Sequence, residues 1–180
     1  MNKTAAHSTK AYKDLFVVAI GASAGGLEAL EKFFSTCPAD TGMAFVVVQH
    51  LSPDHKSMMS DLLARYTKMP IKVVEHGMLL EANCVYLIPA GNLMRMEGNK
   101  FLLTKKSPHV FTLPIDIFFS SLAQYFQAHT IGVILSGTGS DGTRGAYAIN
   151  EAGGLLLAQD CQSASKFDQL SALKFDHPRP

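Results

Sequence analysis

The feature that most constrains this chain is a set of short, unbroken apolar runs, each ending in a glycine or a polar turn. Phe16 to Ile20 reads Phe-Val-Val-Ala-Ile and stops at Gly21, Met43 to Val48 stops at Gln49, and Ile131 to Leu135 stops at Ser136. A strand with one wet face alternates polar and apolar residues. A strand covered on both faces does not, so these runs predict a parallel sheet with helices on both sides. Ile71–Val74, Cys84–Ile88 and Leu155–Ala158 add further strands. Between them, apolar residues recur at helical spacing: Leu27, Leu30, Phe34 and Cys37 ahead of Pro38, then Ser57 to Tyr66. Pro114 opens a third helix, to about Gln127, with Ile115, Phe118, Phe119, Leu122 and Phe126 on one face, and a fourth spans about Gly142 to Ala152. A Gly-Asn pair between Asn92 and Thr104 separates two short strands and predicts a β-hairpin. The fold class expected is α/β: a single doubly wound, mainly parallel sheet flanked by helices, with a small antiparallel hairpin.

Composition narrows the rest. A chain of 180 residues, 47% apolar and 17% charged, has room for one packed core but not for two ordinary domains. Sixteen basic against fifteen acidic side chains leave a formal charge of +1. The whole chain therefore has no nucleic-acid or anionic-membrane signature, although a local basic patch is compatible with it. Cys37, Cys84 and Cys161 are odd in number and widely spaced, which fits free thiols in a reducing compartment better than a disulfide framework or a zinc site. Residues 1–14 are polar, lack the apolar core of a signal peptide and read as a loose tail. No apolar run approaches the roughly 20 residues of a membrane span. The expectation is a cytoplasmic protein without membrane insertion.

In sheets of this kind ligands bind beyond the carboxyl ends of the strands. Strand one runs into Gly21-Ala22-Ser23-Ala24-Gly25-Gly26, strand two into Gln49-His50-Leu51, and the strand at Ile131–Leu135 into Ser136-Gly137-Thr138-Gly139-Ser140-Asp141-Gly142. A hydroxyl, an imidazole and a carboxylate thus reach one edge of one sheet. The first loop matches G-x-S-x-G, in which a tight strand-to-helix turn projects a serine while neighbouring N–H groups stay available. A helix starting near Gly25 would also aim its positive end at an oxyanion formed there.

Each residue has a plainer reading. The glycines of the first loop also suit close packing or phosphate binding, His50 also suits a hydrogen-bonded structural histidine, and Asp141 also suits the N-cap of the helix that follows it. His55 competes with His50 for the base, and a metal on the two is poorly supported by their spacing. Dinucleotide binding fits less well: Ser23 stands where G-x-G-x-x-G needs glycine, strand two ends in Gln49-His50 rather than an acid, and no Gly-Lys-Ser/Thr is present. A non-catalytic binding or signalling domain on the same fold remains the main alternative to a hydrolase.

The segments Ala19–Leu27, Val48–Leu51 and Ile134–Gly142 resemble, in order and spacing, the chemotaxis protein-glutamate methylesterases of the CheB type, and Val85–Pro89 and Gly153–Asp160 look similar too. The likeness runs from about Phe16 to Asp168, giving residues 1–14 as a tail, 15–168 as a methylesterase-like domain and 169–180 as a divergent tail. The Ser-Ala-Gly-Gly loop and the Phe-Phe-Ser-Ser-Leu-Ala stretch from Phe118 resemble most the methylesterase part of fused methylesterase–methyltransferase (CheB/CheR) proteins.

The resemblance implies hydrolysis of glutamate methyl esters, with release of methanol, and deamidation of glutamines on chemoreceptors. It implies Ser23 as nucleophile, His50 as base, Asp141 as its orienting carboxylate, and main-chain N–H groups near His50 and Thr138 as oxyanion donors. It implies no cofactor and no metal. The partners it implies are the cytoplasmic helices of methylated receptors and a linked or separate methyltransferase. Three departures stand out: Ala24 replaces the Thr or Ser that many relatives carry after the nucleophile, only a short tail stands where relatives carry a receiver domain, and the residues after Lys166-Phe167-Asp168 diverge. They predict either one domain of a longer protein or a truncated homologue.

Overall fold

The apolar runs become neighbouring strands of one sheet. The structure, a computed structural model, describes residues 14–22, 26–49, 58–107, 109–135 and 140–159. Six strands, β1 (Val17–Ala22), β2 (Ala44–Gln49), β3 (Ile71–Val73), β4 (Val85–Leu87), β7 (Thr130–Ile134) and β8 (Leu155–Ala158), pair in the order β3-β4-β2-β1-β7-β8. Every pairing among them is parallel. β5 (Asn92–Glu97) and β6 (Lys100–Lys105) form the separate antiparallel hairpin. Its turn is Gly98-Asn99, with φ of 58° at Gly98, where a two-residue hairpin turn calls for a left-handed residue.

The sheet is covered on both faces. Val17 and Ala19 of β1, with Ala44, Val46 and Val48 of β2, pack under α3 (Pro114–Phe126), the hairpin and Ile149 of α4 (Thr143–Glu151). Val18, Ile20 and Ala22, with Phe45 and Val47, pack under Leu30 and Phe34 of α1 (Gly26–Thr36) and Met59 and Leu63 of α2 (Met58–Leu63). Alternate residues of β1 therefore serve two different cores, which is why the strand can carry no polar side chain. All five predicted apolar positions of α3 are buried, and Pro114 sits in its first turn. Cys37 and Cys84 are free thiols.

Several boundaries move. β1 begins after Phe16, which is 42% exposed, and continues through Gly21 and Ala22, because these still pair with Val48 and Gln49 of β2. Gly21 is tolerated inside the strand because the first turn of α3 lies against it: a Cβ there would come within 2.7 Å of Ile115 Cγ2. α2 is shorter than the expected Ser57–Tyr66. After Leu63 the chain tightens into three-residue hydrogen bonds, Arg65 N–H to Leu62 O and Tyr66 N–H to Leu63 O. Ser57 itself lies outside the described residues, as does Cys161.

α3 and α4 approach closely at Gly145, where a Cβ would lie 2.5 Å from Phe119 Cβ and 3.1 Å from Asp116 Cα. Gly145→Ala gains helix propensity of roughly 0.5–1 kcal/mol but overpacks this contact at a cost of about 1–3 kcal/mol. The contact wins. Gly145→Ala is expected to lower stability, read as a lower urea midpoint at unchanged slope; an unchanged or higher midpoint would show that the helices can separate freely.

Candidate active site

The sheet register brings the three candidate loops together. Ala22, the last residue of β1, pairs with Gln49 of β2, and Gly21 pairs with Ile134 of β7. Leu135 N–H donates to Gly21 O at 2.9 Å, extending the pairing one residue further. Ser23 follows Ala22 and His50 follows Gln49 in the chain, so two of the loops leave from paired residues of adjacent strands, about 4.8 Å apart. Ser23, His50, His55 and Thr138 themselves lie outside the described residues. α1 begins at Gly26, so its positively polarised end lies at this same edge.

Asp141 is described, and each oxygen of its carboxylate is held by a main-chain amide. Its Oδ2 accepts the Ile115 N–H at 3.0 Å and its Oδ1 accepts the Asp116 N–H at 2.9 Å. These are orphan amides of the first turn of α3, whose N-cap residue, Leu113, has no side chain able to cap them. The reading of Asp141 as N-cap of the helix after it is thereby corrected. The N-cap position of α4 is Gly142, at φ 107°, with no side-chain cap of its own. The amides of that end are instead gripped by Asp116, whose Oδ1 accepts Gly142 N–H at 3.0 Å and Gly145 N–H at 2.8 Å. Each aspartate thus caps the helix that carries, or follows directly from, the other.

Ile115 wedges this arrangement against the sheet. A Cβ at Gly142 would lie 3.1 Å from both Ile115 Cγ2 and Ile134 Cδ1, and one at Gly21 would meet the same Ile115 methyl. Glycines of two candidate loops therefore have a packing job as well as a chemical one. Asp116, and the contact of Ile115 with the two glycines, were missed by sequence reasoning. An acid in a helix's first turn is the general preference for that position, and nothing local points to a partner 26 residues away.

Asp116 is only 7% exposed. Burial pushes its carboxyl above the usual aspartate range, against the pull of the Gly145 and Gly142 amides, and the negative charge of Asp141 pushes the same way as burial. Among the described residues no group of three or more His, Cys, Asp or Glu could hold a metal ion. A cavity of about 410 Å³ opens beside this edge, between Glu28, Lys32 and Phe33 of α1 and Val133, Leu135 and Leu157 of the sheet.

A raised carboxyl pKa stabilises the fold below the unfolded-state value, near 3.9, and that contribution is lost as pH rises through the folded-state value. Asp116→Asn keeps an oxygen for Gly142 and Gly145 but cannot titrate. Unfolding free energy of the wild type relative to this variant is therefore expected to fall as pH increases from below 4 through the carboxylate range. Parallel curves, measured by denaturant titration at each pH, would show that Asp116 titrates alike in both states.

Comparison with known proteins agrees with this architecture. The family model described as CheB methylesterase matches residues 18–172. The chain is 38% identical over 146 residues to a "Protein-glutamate methylesterase/protein-glutamine glutaminase 1" of Cupriavidus pinatubonensis, covering 80% of this chain and 43% of that protein. It is 50% identical over 110 residues to an "Uncharacterized 104.1 kDa protein" of Rhodobacter capsulatus, covering 61% of this chain and 11% of that one. It thus spans less than half the length of either relative. The crystal structure of the Thermotoga maritima CheB methylesterase catalytic domain superposes with a TM-score of 0.77 at 28% identity, covering 86% of this chain and 84% of that one. The six-stranded parallel sheet with its flanking helices is the fold of that domain.

Proposed function

The chain belongs to the CheB methylesterase family, and from that premise we propose that it is a serine hydrolase of protein glutamate methyl esters, able also to deamidate glutamines. The observation that carries this reading is the adjacency of the β2, β1 and β7 ends, since the chain enters Ser23, His50 and the Asp141 loop from there. Ser23 Oγ attacks the ester carbonyl as His50 takes its proton, and the oxyanion is held by main-chain N–H groups of His50 and Thr138. Methoxide is a poor leaving group, so His50 returns the proton as the C–O bond breaks and methanol departs. Water, deprotonated by His50, then hydrolyses the acyl-enzyme and restores Ser23.

Asp141 fixes the imidazole tautomer and stabilises the imidazolium. An ionised carboxylate has roughly four acceptor sites. The α3 amides donate to both of its oxygens, one to each. The proposed substrates are cytoplasmic helices of methylated chemoreceptors, and the proposed setting is the cytoplasm. No helix among the described residues is long and apolar enough to cross a membrane. A methyltransferase, linked or separate, is the proposed companion activity.

Ser23→Ala and His50→Ala are each expected to reduce methanol release from a methylated protein at least about 10³-fold at unchanged melting temperature. Asp141→Ala is expected to lose activity and, in addition, about 1–2 kcal/mol of stability, because it also uncaps α3. Undiminished turnover in Ser23→Ala would sink the mechanism. A folded wild type whose Ser23 resists a fluorophosphonate probe would favour the binding-domain alternative.

A further inference from the structure

We infer that the loop leading into α3 is a docking surface for an acidic segment of the protein substrate, next to the methylated glutamate. Val110 and Phe111 are 60% and 87% exposed, the two most exposed large apolar side chains among the described residues. Contiguous exposed apolar surface is a mark of interaction sites. The loop that bears them is held at both ends. Lys106 N–H donates to Gly91 O at 2.9 Å, Val110 N–H closes a turn on Ser107 O at 3.3 Å, and Leu113 O accepts the Ile117 N–H at 3.0 Å as α3 begins. The rings and methyls are therefore presented from an anchored loop, which lowers the ordering cost of binding.

Position and charge choose the occupant. Phe111 lies three positions before Pro114, and the next two amides, of Ile115 and Asp116, hold Asp141. Three extended residues reach about 10 Å at most, so the apolar pair stands beside the candidate active-site edge. Residues 105–115 contain Lys105, Lys106 and His109 and no acidic residue, although the chain as a whole is nearly neutral. An apolar tip flanked by lysines fits a partner with an apolar position among acids. The inference rests on the proposed function only in naming that partner as the substrate, whose reacting residue is itself a glutamate derivative.

The test uses two probes with the full chain: a glutamate-rich helical peptide with one γ-methyl-glutamate, and N-acetylglutamate γ-methyl ester. The variants are V110S/F111S and K105E/K106E, with melting temperature as the check on folding. Each is expected to raise KM for the peptide about 10-fold or more at unchanged kcat, while kcat/KM for the small ester stays at the wild-type level. Raising salt from 50 to about 300 mM should raise the peptide KM of the wild type and of V110S/F111S by a similar factor and leave K105E/K106E without that rise. Unchanged peptide KM, or equal losses on both probes, overturns docking. Loss of self-association by sedimentation with peptide kinetics intact overturns it in favour of a second copy of the chain. If the wild type hydrolyses neither probe, the enzymatic reading fails on its own. Anisotropy of a fluorescent, glutamine-bearing acidic peptide then still decides docking, since equal affinity for wild type and variants would reject it.

Discussion

Strand β1 is hydrogen-bonded along its length to a parallel neighbour on each side, and the rest of the molecule is arranged around that fact. With both edges paired and both faces buried, β1 has no surface on which to carry a polar group, so polarity is displaced to its ends. Parallel pairing sends every carboxyl end to the same edge. The chain leaves β1 toward β2 on one side and reaches β7 on the other, so the strand order reverses there, the place where sheets of this kind bind ligands. Three loops with polar residues are thereby gathered where chemistry is geometrically possible.

What fixes this edge on the β7 side is an exchange of caps. The N-termini of α3 and α4 both lack a capping side chain of their own, at Leu113 and Gly142, and each receives an aspartate from the other's neighbourhood. Two like charges brought close inside a protein repel, and four amide donors at the positive ends of two helices offset that repulsion. Burial, together with the charge of Asp141, raises the Asp116 carboxyl pKa, against the pull of the Gly145 and Gly142 amides. A residue with two jobs also confounds mutagenesis. Loss of activity on removing Asp141 cannot by itself distinguish a lost imidazole partner from a shifted α3, whereas Ser23 and His50 carry no such bond to α3 in the proposed scheme.

The fold was legible because its strongest signals are local. Unbroken apolar runs gave the parallel strands, the Ile115–Phe126 spacing gave the buried face of α3, and Gly-Asn gave the hairpin. The strand ends moved because Gly21 and Ala22 look like loop residues but remain paired, and only the proximity of Ile115 explains the missing side chain at Gly21. The candidate site was legible as three loops, through motif and family likeness. The aspartate exchange was not, since each bond spans 25 to 29 residues and an acid or a glycine at a helix start has a sufficient local explanation. Exposure of Phe111 was equally invisible, because hydrophobicity in a sequence is read as burial unless a structure shows otherwise.

These pieces meet on α3. Its middle is pinned to the hairpin where the Ser121 hydroxyl accepts the Met96 N–H at 3.0 Å, and its first turn is pinned to the sheet by Ile115 against Gly21. The same turn holds Asp141, and the loop just before it presents Val110 and Phe111. A helix fixed at so many points moves as a unit or not at all, because packed interiors resist continuous deformation. Leu113 O accepts the Ile117 N–H where this loop meets the helix, and the Val110 N–H closes on Ser107 O within the loop itself. In the proposed reading, recognition and chemistry are adjacent in space but separable in sequence, so changing a short exposed loop would change the protein substrate without changing the catalytic edge.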